Sequence, residues 1–365
     1  MKAAPRAEPK PPKRYTLVRV VDVIARPIDW IWKHHLARGH LELMTGLPGM
    51  AKSQVHCSHA ASITTTKRWP DGANWQAPGS VIMLTAEDNT EQVVKPRLMA
   101  AGADCSRIYI LAKIRKDNRD RMFLLAEDLE DLAMAIEEVG DVVLVTVDPI
   151  TAYLGAGRGF DSHRTTDVRN QLGPLAEMAE RCNVAFSANT HPSKNAGPRA
   201  IDWFIGSQAF IAAARMGHVC VEEMEDDGAG GRKPTGRLLY TSVRKNLVPN
   251  RVPAIAYTTE MVWPEPGIEA SRVVWAETID TTADEAIAAA KPGKPPQGSD
   301  VVTFLLDILA NGPVPKKVIE ERATKRGFSE MQLRTAKQKM GIVVYKDGMT
   351  GGWVWALPQD APKEE

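Results

Sequence analysis

The chain has 365 residues, which is more than one average domain needs and suits one large domain with a smaller one. Hydrophobic residues make up 44% and charged residues 25%, as in a typical globular protein, and the formal net charge of +1 excludes a surface that is basic overall. The four cysteines lack CxxC spacing, which argues against a zinc site or a disulfide framework and predicts a cytoplasmic protein. No apolar run is long enough to span a membrane, and no signal peptide is apparent.

The chain begins with a segment that is rich in proline, lysine and arginine, residues 1–14. This composition predicts a disordered basic tail. The pattern that follows, over residues 15–280, predicts the large domain.

A phosphate-binding loop is predicted at residues 46–53, Gly-Leu-Pro-Gly-Met-Ala-Lys-Ser. An apolar run at 41–45 precedes this loop and a helix-like stretch follows it, which is the context in which such loops work. Lys52 can reach the β- and γ-phosphates of a nucleotide, and the Ser53 hydroxyl can bind Mg²⁺. A glycine turn with a chance Lys-Ser pair is the alternative. The predicted nucleotide-binding residues are Gly46, Leu47, Pro48, Gly49, Met50, Ala51, Lys52, Ser53 and Gln54.

The loop departs from the usual pattern at Ala51, because glycine ordinarily stands before the lysine. A methyl group there could crowd the β-phosphate, since glycine is favoured where the backbone must approach a ligand closely. The loop resembles that of the MCM-type replicative helicases, Gly-x-Pro-Gly-x-Ala-Lys-Ser-Gln, although the other MCM motifs are not visible. We therefore expect the alanine to be tolerated, with the rate of hydrolysis in question.

Short apolar segments alternate with helical patterns in the rest of the large domain. Nearly continuous apolar runs predict buried strands at 80–85, 107–111, 141–148 and 183–190, and helical patterns predict helices at 124–139 and 166–182. This alternation predicts a mostly parallel sheet built from βαβ units. Strands without helices at 218–224, 237–243, 254–262 and 273–278 predict an antiparallel extension of one sheet edge.

Acidic residues follow two of the predicted strands. Asp148 ends an apolar strand in the manner of a Walker B segment and would hold Mg²⁺, with a helix-capping aspartate as the alternative. Glu87 follows strand 80–85, and ligands bind at the carboxyl ends of parallel strands, which predicts a position beside the loop. A glutamate there can polarise the attacking water. Asp88 is the second choice, and a surface acid pair is the alternative.

His191 follows the strand predicted at 183–190. A polar residue at this position could contact the γ-phosphate and report hydrolysis to the next loop, although a lone histidine is more often structural. The predicted catalytic residues are thus Lys52, Glu87, Asp148 and His191.

The C-terminal part predicts a linker at 281–299, a compact module at 300–358 and a disordered tail at 359–365. Helices predicted at 300–310, 315–326 and 329–340, followed by strands at 342–346 and 353–357, are typical of a winged helix-turn-helix. The third helix carries Arg334 and Lys337, which could meet a DNA groove or its phosphates. A protein-contact module is the alternative, because the unit is only mildly basic.

The order and spacing of these motifs over residues 17–262 resemble the RecA-fold ATPases of the plasmid RepA helicase type. The stretches that match, besides the loop, include 84–88, 147–155, 191–194, 213–215 and 244–246. The resemblance implies a RecA-like P-loop NTPase core of the α/β class that uses ATP and Mg²⁺. It also implies a homo-oligomeric ring, usually a hexamer, with ATP held between neighbouring subunits.

The same resemblance implies roles for several basic residues. Arg215 and Lys245 match the family positions that could supply a cation to the neighbour's site, in the manner of an arginine finger. An ordinary surface charge is the alternative for Arg215. Two loops match those that point into the ring channel, where basic residues can contact single-stranded DNA, with solvated loops as the alternative. The DNA-binding candidates in these loops are Arg158, Arg164, Lys194 and Arg199.

The resemblance departs from the family pattern at Ala51 and at Thr190, where relatives often have a second histidine. The leading interpretation is an ATP-hydrolysing DNA motor, a helicase-like ring ATPase that acts with replication partners of a plasmid, phage or other mobile element. One alternative is a DNA-binding regulator or loader that uses ATP binding as an assembly switch with little turnover. Another is an adaptor whose winged helix binds protein.

Overall fold

The computed structural model describes residues 17–116, 119–155, 165–193, 197, 199–204, 208–227, 231–243, 247, 251–290, 298–310, 312–346 and 352–360. The predicted N-terminal tail therefore lies outside the described residues. So do four of the predicted site residues, namely Arg158, Arg164, Lys194 and Lys245. Within these ranges no helix is both long and apolar enough to cross a membrane.

Strands and helices alternate along the first two thirds of the chain. In chain order the strands are β1 (Trp30–Trp32), β2 (Leu36–Ala37), β3 (Leu41–Gly46), β4 (Ser80–Thr85), β5 (Ile108–Ile110), β6 (Ile114–Lys116), β7 (Arg119–Arg121), β8 (Val142–Asp148), β9 (Ala185–Thr190), β10 (Met216–Asp226), β11 (Arg232–Ser242), β12 (Ala254–Glu265), β13 (Ile268–Ile279), β14 (Val314–Pro315), β15 (Val343–Lys346) and β16 (Trp353–Ala356). The helices are α1 (Lys52–Thr65), α2 (Lys95–Ala101), α3 (Leu129–Val139), α4 (Thr165–Cys182), α5 (Gln208–Ala213), α6 (Ala283–Ala290), α7 (Gly298–Leu309), α8 (Lys316–Lys325) and α9 (Glu330–Lys339).

A nine-stranded sheet organises the large domain, in the spatial order β13-β12-β11-β10-β3-β9-β8-β4-β5. From β10 to β5 all neighbours are parallel, whereas β11, β12 and β13 extend the β10 edge in antiparallel fashion. The predicted α/β class, with a mostly parallel sheet and an antiparallel edge extension, is confirmed.

Helices cover both faces of the sheet, which is why the central strands are apolar along nearly their whole length. On one face α1 and α2 pack over residues such as Met44, Val81 and Leu144. On the other face α3, α4, α5 and α6 pack over residues such as Leu43 and Val145. The carboxyl ends of the parallel strands consequently meet at one edge between two rigid layers.

The C-terminal unit contains α7, α8 and α9 and a small sheet in the order β14-β16-β15, around an apolar core of its own. Ser329 and Gln332 form the expected capping box of α9: the Ser329 N–H donates to Gln332 Oε1 at 2.8 Å, and the Gln332 N–H donates to Ser329 Oγ at 3.3 Å. Helix and strand positions agree with those expected, and the short β14 was not anticipated. The identification of this unit as a winged helix stays a prediction.

The structure corrects two predicted boundaries. The segment 281–299 was expected to be linker, yet it contains α6, whose Ala283, Ala286 and Ile287 are buried and which packs on β10 and β11. A Thr-x-x-Glu capping box starts this helix, since the Thr282 N–H donates to Glu285 Oε2 at 2.7 Å and the Glu285 N–H donates to Thr282 Oγ1 at 3.3 Å. The helix expected at 124–139 begins only at Leu129.

Candidate nucleotide-binding site

The two glycines of the phosphate-binding loop are required for different structural reasons. A Cβ atom on Gly46 would lie 2.5 Å from the backbone oxygen of Cys220 on the neighbouring strand, so no larger residue fits there. Gly49 has open space around it but adopts φ +87°, a left-handed conformation that favours glycine. The loop that joins β3 to α1 therefore depends on both glycines.

Ala51 precedes α1 in a left-handed conformation, with φ 54° and ψ 28°. For a residue with a Cβ atom this conformation costs about 1–2 kcal/mol relative to the right-handed region. The residue that replaces the usual glycine thus occupies a position where glycine would be unstrained. Ala51 therefore has two unfavourable features: its methyl group could crowd the β-phosphate, as the sequence indicates, and its backbone is strained, as the structure shows.

The Lys52 ammonium lies among groups of both signs. It donates hydrogen bonds to the Gly46 carbonyl at 2.7 Å and to the Leu47 carbonyl at 3.2 Å. Partial burial lowers the pKa of Lys52, and the nearby Cys220 thiol and the Asp148 and Glu87 carboxyl groups act in the opposite direction. The two acids expected to serve the site are therefore close enough to influence the charge of this lysine.

The two acids lie at the same edge of the sheet. Strands β4 and β8 are parallel with Thr85 opposite Asp148, and the Ala86 N–H donates to the Asp148 carbonyl at 3.1 Å. Glu87 is exposed one residue later. Asp88 instead forms an ion pair with Arg97 at 2.7 Å. Of the two acids in the 86–88 turn, Glu87 is thus the one that faces solvent at this edge.

His191 follows β9, the strand that lies between β3 and β8. Thr190 pairs with Thr45, which places His191 level with Gly46 at the start of the loop, and its side chain is half-buried. The structure therefore brings Lys52, Asp148, Glu87 and His191 to one edge of the sheet, at the carboxyl ends of the parallel strands.

The site has the groups that a Mg²⁺ ion accompanying a nucleotide requires. Ser53 lies in the first turn of α1, and Asp148 is close enough to this helix to oppose the lowering of the pKa that burial causes at both Lys52 and His56. Hydroxyl and carboxylate oxygens are ligands that Mg²⁺ prefers, usually together with substrate phosphates. In the described part of the chain, no group of three or more His, Cys, Asp and Glu residues could hold a metal ion by itself.

A buried polar layer lies beneath the loop and was not anticipated from the sequence. At its centre is Glu42 of β3, which accepts a hydrogen bond from Ser187 of β9 and contacts His218 Nδ1 at 2.8 Å. His56 Nε2 of α1 lies 2.9 Å from Ser187 Oγ, and His35 Nδ1 lies 3.1 Å from His218 Nε2.

Burial raises the pKa of Glu42 to about 7 and lowers that of His218 to about 3. Two sequence signals could have indicated this layer. One is a glutamate inside the otherwise buried strand 41–46, and the other is a histidine one helical turn after Lys52.

The candidate for the trans-acting cation lies far from its own loop. Arg215 is exposed directly before β10, and its N–H donates to the Leu41 carbonyl at 2.9 Å. Cys220, five residues later, is the residue that pairs with Gly46. At about 3.3 Å per residue this separates Arg215 from the loop by about 16 Å along the strand, at the opposite edge of the sheet.

The described DNA-binding candidates lie in two places. Arg199 forms an ion pair with Asp202 at 2.9 Å. Arg334 is exposed on α9, and the Lys337 ammonium lies 5.4 Å from the centre of the Trp355 ring.

A solved structure similar to this chain is that of an ATPase domain, with 14% sequence identity and a TM-score of 0.44, over 60% of this chain and 82% of that one. No curated protein matches the chain. The family model described as AAA domain matches residues 4–197, which is more than half of the chain and includes the loop, Glu87, Asp148 and His191. The chain therefore carries a P-loop nucleotide-binding site and belongs to the AAA domain family.

Proposed function

We propose that the protein binds ATP with Mg²⁺ at residues 46–53 and hydrolyses it to drive movement on DNA, as a helicase-like motor. The observation that carries the proposal is the position of the loop, Asp148 and Glu87 at the carboxyl ends of the parallel strands β3, β8 and β4. Membership of the AAA domain family supports the nucleotide, and the resemblance to RepA-type helicases supports the motor.

The nucleotide would be bound by the loop, by the end of β3 that precedes it and by the start of α1 that follows it. Backbone N–H groups at the start of α1 and the Lys52 ammonium attract the phosphates. Ser53 and Asp148 would hold the Mg²⁺ ion, which neutralises negative charge on the phosphates when it is bound.

Hydrolysis requires a group that orients and deprotonates water, because phosphoryl transfer depends mostly on positioning and charge stabilisation. Glu87 suits this role, since its carboxyl group is exposed at the site whereas that of Asp88 is paired with Arg97. We assign His191, on the strand between β3 and β8, to contact with the γ-phosphate.

The motor acts as a ring, with six subunits favoured, in the replication of a plasmid, phage or other mobile element. Arg215 serves the site of a neighbouring subunit, because its own loop lies at the other edge of the sheet. Basic residues such as Arg199 line the single-stranded DNA, and Arg334 and Lys337 of the C-terminal unit contact DNA as part of a winged helix.

Steady-state ATPase, measured with and without single-stranded DNA, tests this function. We expect strong stimulation by DNA and a loss of turnover of about 10²-fold or more in Lys52→Ala, which removes the cation facing the phosphates. Lys67→Ala is the matched control, since Lys67 is exposed just beyond the other end of α1. Unchanged ATPase in Lys52→Ala would contradict the site.

The strained Ala51 supports one alternative, a regulator or loader that uses ATP binding as an assembly switch. A residue that strains the loop can slow the chemical step while leaving binding possible. Tight ATP binding with negligible turnover, both with and without DNA, would select this alternative.

A further inference from the structure

Tyr257 joins the antiparallel extension of the sheet to the phosphate-binding loop. It lies on β12, is fully buried, and donates a hydrogen bond from its hydroxyl to the Met50 carbonyl at 2.7 Å. The Cys220 thiol lies close to this hydroxyl, and Cys220 is the residue that packs against Gly46. A side chain distant in sequence thus contacts the loop just before Lys52.

The contact determines the direction of one backbone N–H group. The Met50 carbonyl and the Ala51 N–H belong to the same planar trans peptide, so they point in opposite directions. Because Tyr257 holds the carbonyl towards β12, the Ala51 N–H points away from β12. In a loop of this kind the N–H groups must face the phosphates.

The same peptide leads into the strained residue of the loop. Ala51 is left-handed, and a non-glycine residue keeps such a conformation only where its surroundings hold it. The Tyr257 hydrogen bond fixes the peptide directly before it. The Tyr257 hydroxyl thus contacts the peptide that leads into the residue at the position of the usual glycine.

The strand pair that carries Tyr257 is itself attached to α1. The Tyr257 and Trp275 rings pack with their centres 5.2 Å apart, and Trp275 Nε1 donates to Ser58 Oγ of α1 at 2.8 Å. Gln54 Nε2, in the first turn of α1, donates to Ser271 Oγ of β13. Strands β12 and β13 thus hold both the loop and the helix that follows it.

We propose that Tyr257 is a positioning residue for nucleotide binding: it holds the Met50 carbonyl so that the Ala51 N–H faces the phosphates of a nucleoside triphosphate. This inference rests on the proposed ATP binding and adds a residue outside the loop to that site.

Tyr257→Phe tests the proposal, because it removes the hydroxyl and keeps the ring. We expect the KM for ATP, and the Kd measured by titration with ATP under non-hydrolysing conditions, to rise about 3- to 10-fold, as for the loss of one hydrogen bond. The kcat at saturating ATP should change little, because the lost interaction serves binding in the ground state and the transition state alike.

Tyr240→Phe is the matched control. Tyr240 is fully buried on the neighbouring strand β11, opposite Ile255, and its hydroxyl has no hydrogen-bond partner within the described residues. Its removal should leave KM and kcat unchanged. Thermal unfolding without nucleotide, compared between the two variants, checks that each is folded. A purely structural role for Tyr257 would lower its unfolding temperature without the rise in KM.

The outcomes separate this inference from the proposed function. If the unchanged protein binds ATP and Tyr257→Phe binds it equally well, the positioning role is wrong and the proposed function stands. If the unchanged protein does not bind ATP, both are wrong. An equal rise in KM for the Tyr257 and Tyr240 variants also contradicts the positioning role.

Discussion

Ala51 is the residue where the loop departs both from the common pattern and from relaxed backbone geometry. Ala51→Gly should keep or raise turnover, because glycine adopts the left-handed conformation freely and lets the backbone approach a phosphate. The free energy of unfolding should change by no more than about 1 kcal/mol, since relief of strain offsets the greater freedom of glycine in the unfolded chain. Steady-state ATPase and thermal unfolding measure the two effects.

Ala288→Gly is the control for this substitution. Ala288 is exposed within α6, so the same change should cost about 0.5–1 kcal/mol of stability there without touching the site. A large loss of turnover in Ala51→Gly would show that the loop requires the alanine.

Glu87 and Asp88 allow a sharper test of the catalytic base, because they are neighbours with different partners. Glu87→Gln should keep ATP affinity and lower turnover by about 10²- to 10⁴-fold, since an amide of nearly the same shape cannot accept the proton. Asp88→Asn should leave turnover nearly unchanged, because Asp88 is engaged by Arg97. Single-turnover hydrolysis and ATP titration measure rate and affinity separately. If Glu87→Gln loses affinity while its rate per bound ATP is unchanged, Glu87 is structural.

The elements show how far sequence patterns lead. Strands β3, β4, β8 and β9 could be predicted because each is buried on both faces and therefore nearly continuously apolar. The position of Glu87 and Asp148 at one edge followed from strand polarity alone. Helix α6 does not follow from the linker prediction, which rests on the proline- and glycine-rich end of the segment 281–299, although the Thr282–Glu285 capping box is visible in the sequence.

Contacts between residues far apart in the chain could not be predicted. Tyr257 and Met50 are 207 residues apart, and Glu42 and His218 are 176 apart, so no spacing rule relates them. A buried glutamate is visible as an exception in its strand, but its partners depend on which strands become neighbours. The sequence already favoured Glu87 over Asp88, but it gave no sign of the ion pair between Asp88 and Arg97.

Helix α1 and the central strands enclose an acid-sensitive group of histidines. Burial lowers the pKa of each member of this group: His35, His56, His59 and His218. Below about pH 6.5 the unfolded chain binds protons that these folded histidines do not, so stability falls as the pH falls. Glu42 acts oppositely, because its raised pKa of about 7 adds stability at low pH that is lost as the pH rises to about 7. With four histidines against one carboxyl group, we expect a net loss of stability in acid.

His59 and His218 should respond in opposite directions to replacement by leucine. Both His59 ring nitrogens are buried without a hydrogen-bond partner among the described residues, so His59→Leu should stabilise the fold by about 1–3 kcal/mol and reduce the acid sensitivity. His218→Leu should destabilise it by about 1–3 kcal/mol, because Glu42 and His35 would lose their partner. Denaturant unfolding at pH 5, 6, 7 and 8 measures both, and changes of the same sign would contradict this account.

The whole molecule places the loop and Arg215 at opposite edges of one sheet. Arg215→Ala should therefore keep ATP binding but lose turnover, and mixing it with Lys52→Ala should restore part of the activity, because a mixed interface can join an intact loop to an intact arginine. ATPase of the two variants, apart and mixed, is measured beside their mass in solution. The same mixture applies to Lys245→Ala.

Arg107→Ala is the control for the mixing experiment. Arg107 also lies at the start of a parallel strand and pairs with Asp141 at 2.8 Å, so its loss should not abolish turnover. A strictly monomeric protein, or no recovery in any mixture, would count against a shared site.

The position of the loop and Arg215 at opposite edges of the sheet also predicts how ATPase activity would depend on protein concentration. A contact that joins the loop edge of one subunit to the Arg215 edge of the next uses two different surfaces, so it continues until the assembly closes on itself. An open row of subunits always ends in one loop that has no neighbouring arginine. In a closed ring every loop has a neighbouring arginine. If the site is shared as proposed, dilution to single chains would stop hydrolysis while each chain still holds its nucleotide, and turnover per chain would rise with concentration until no loop is left without a neighbouring arginine.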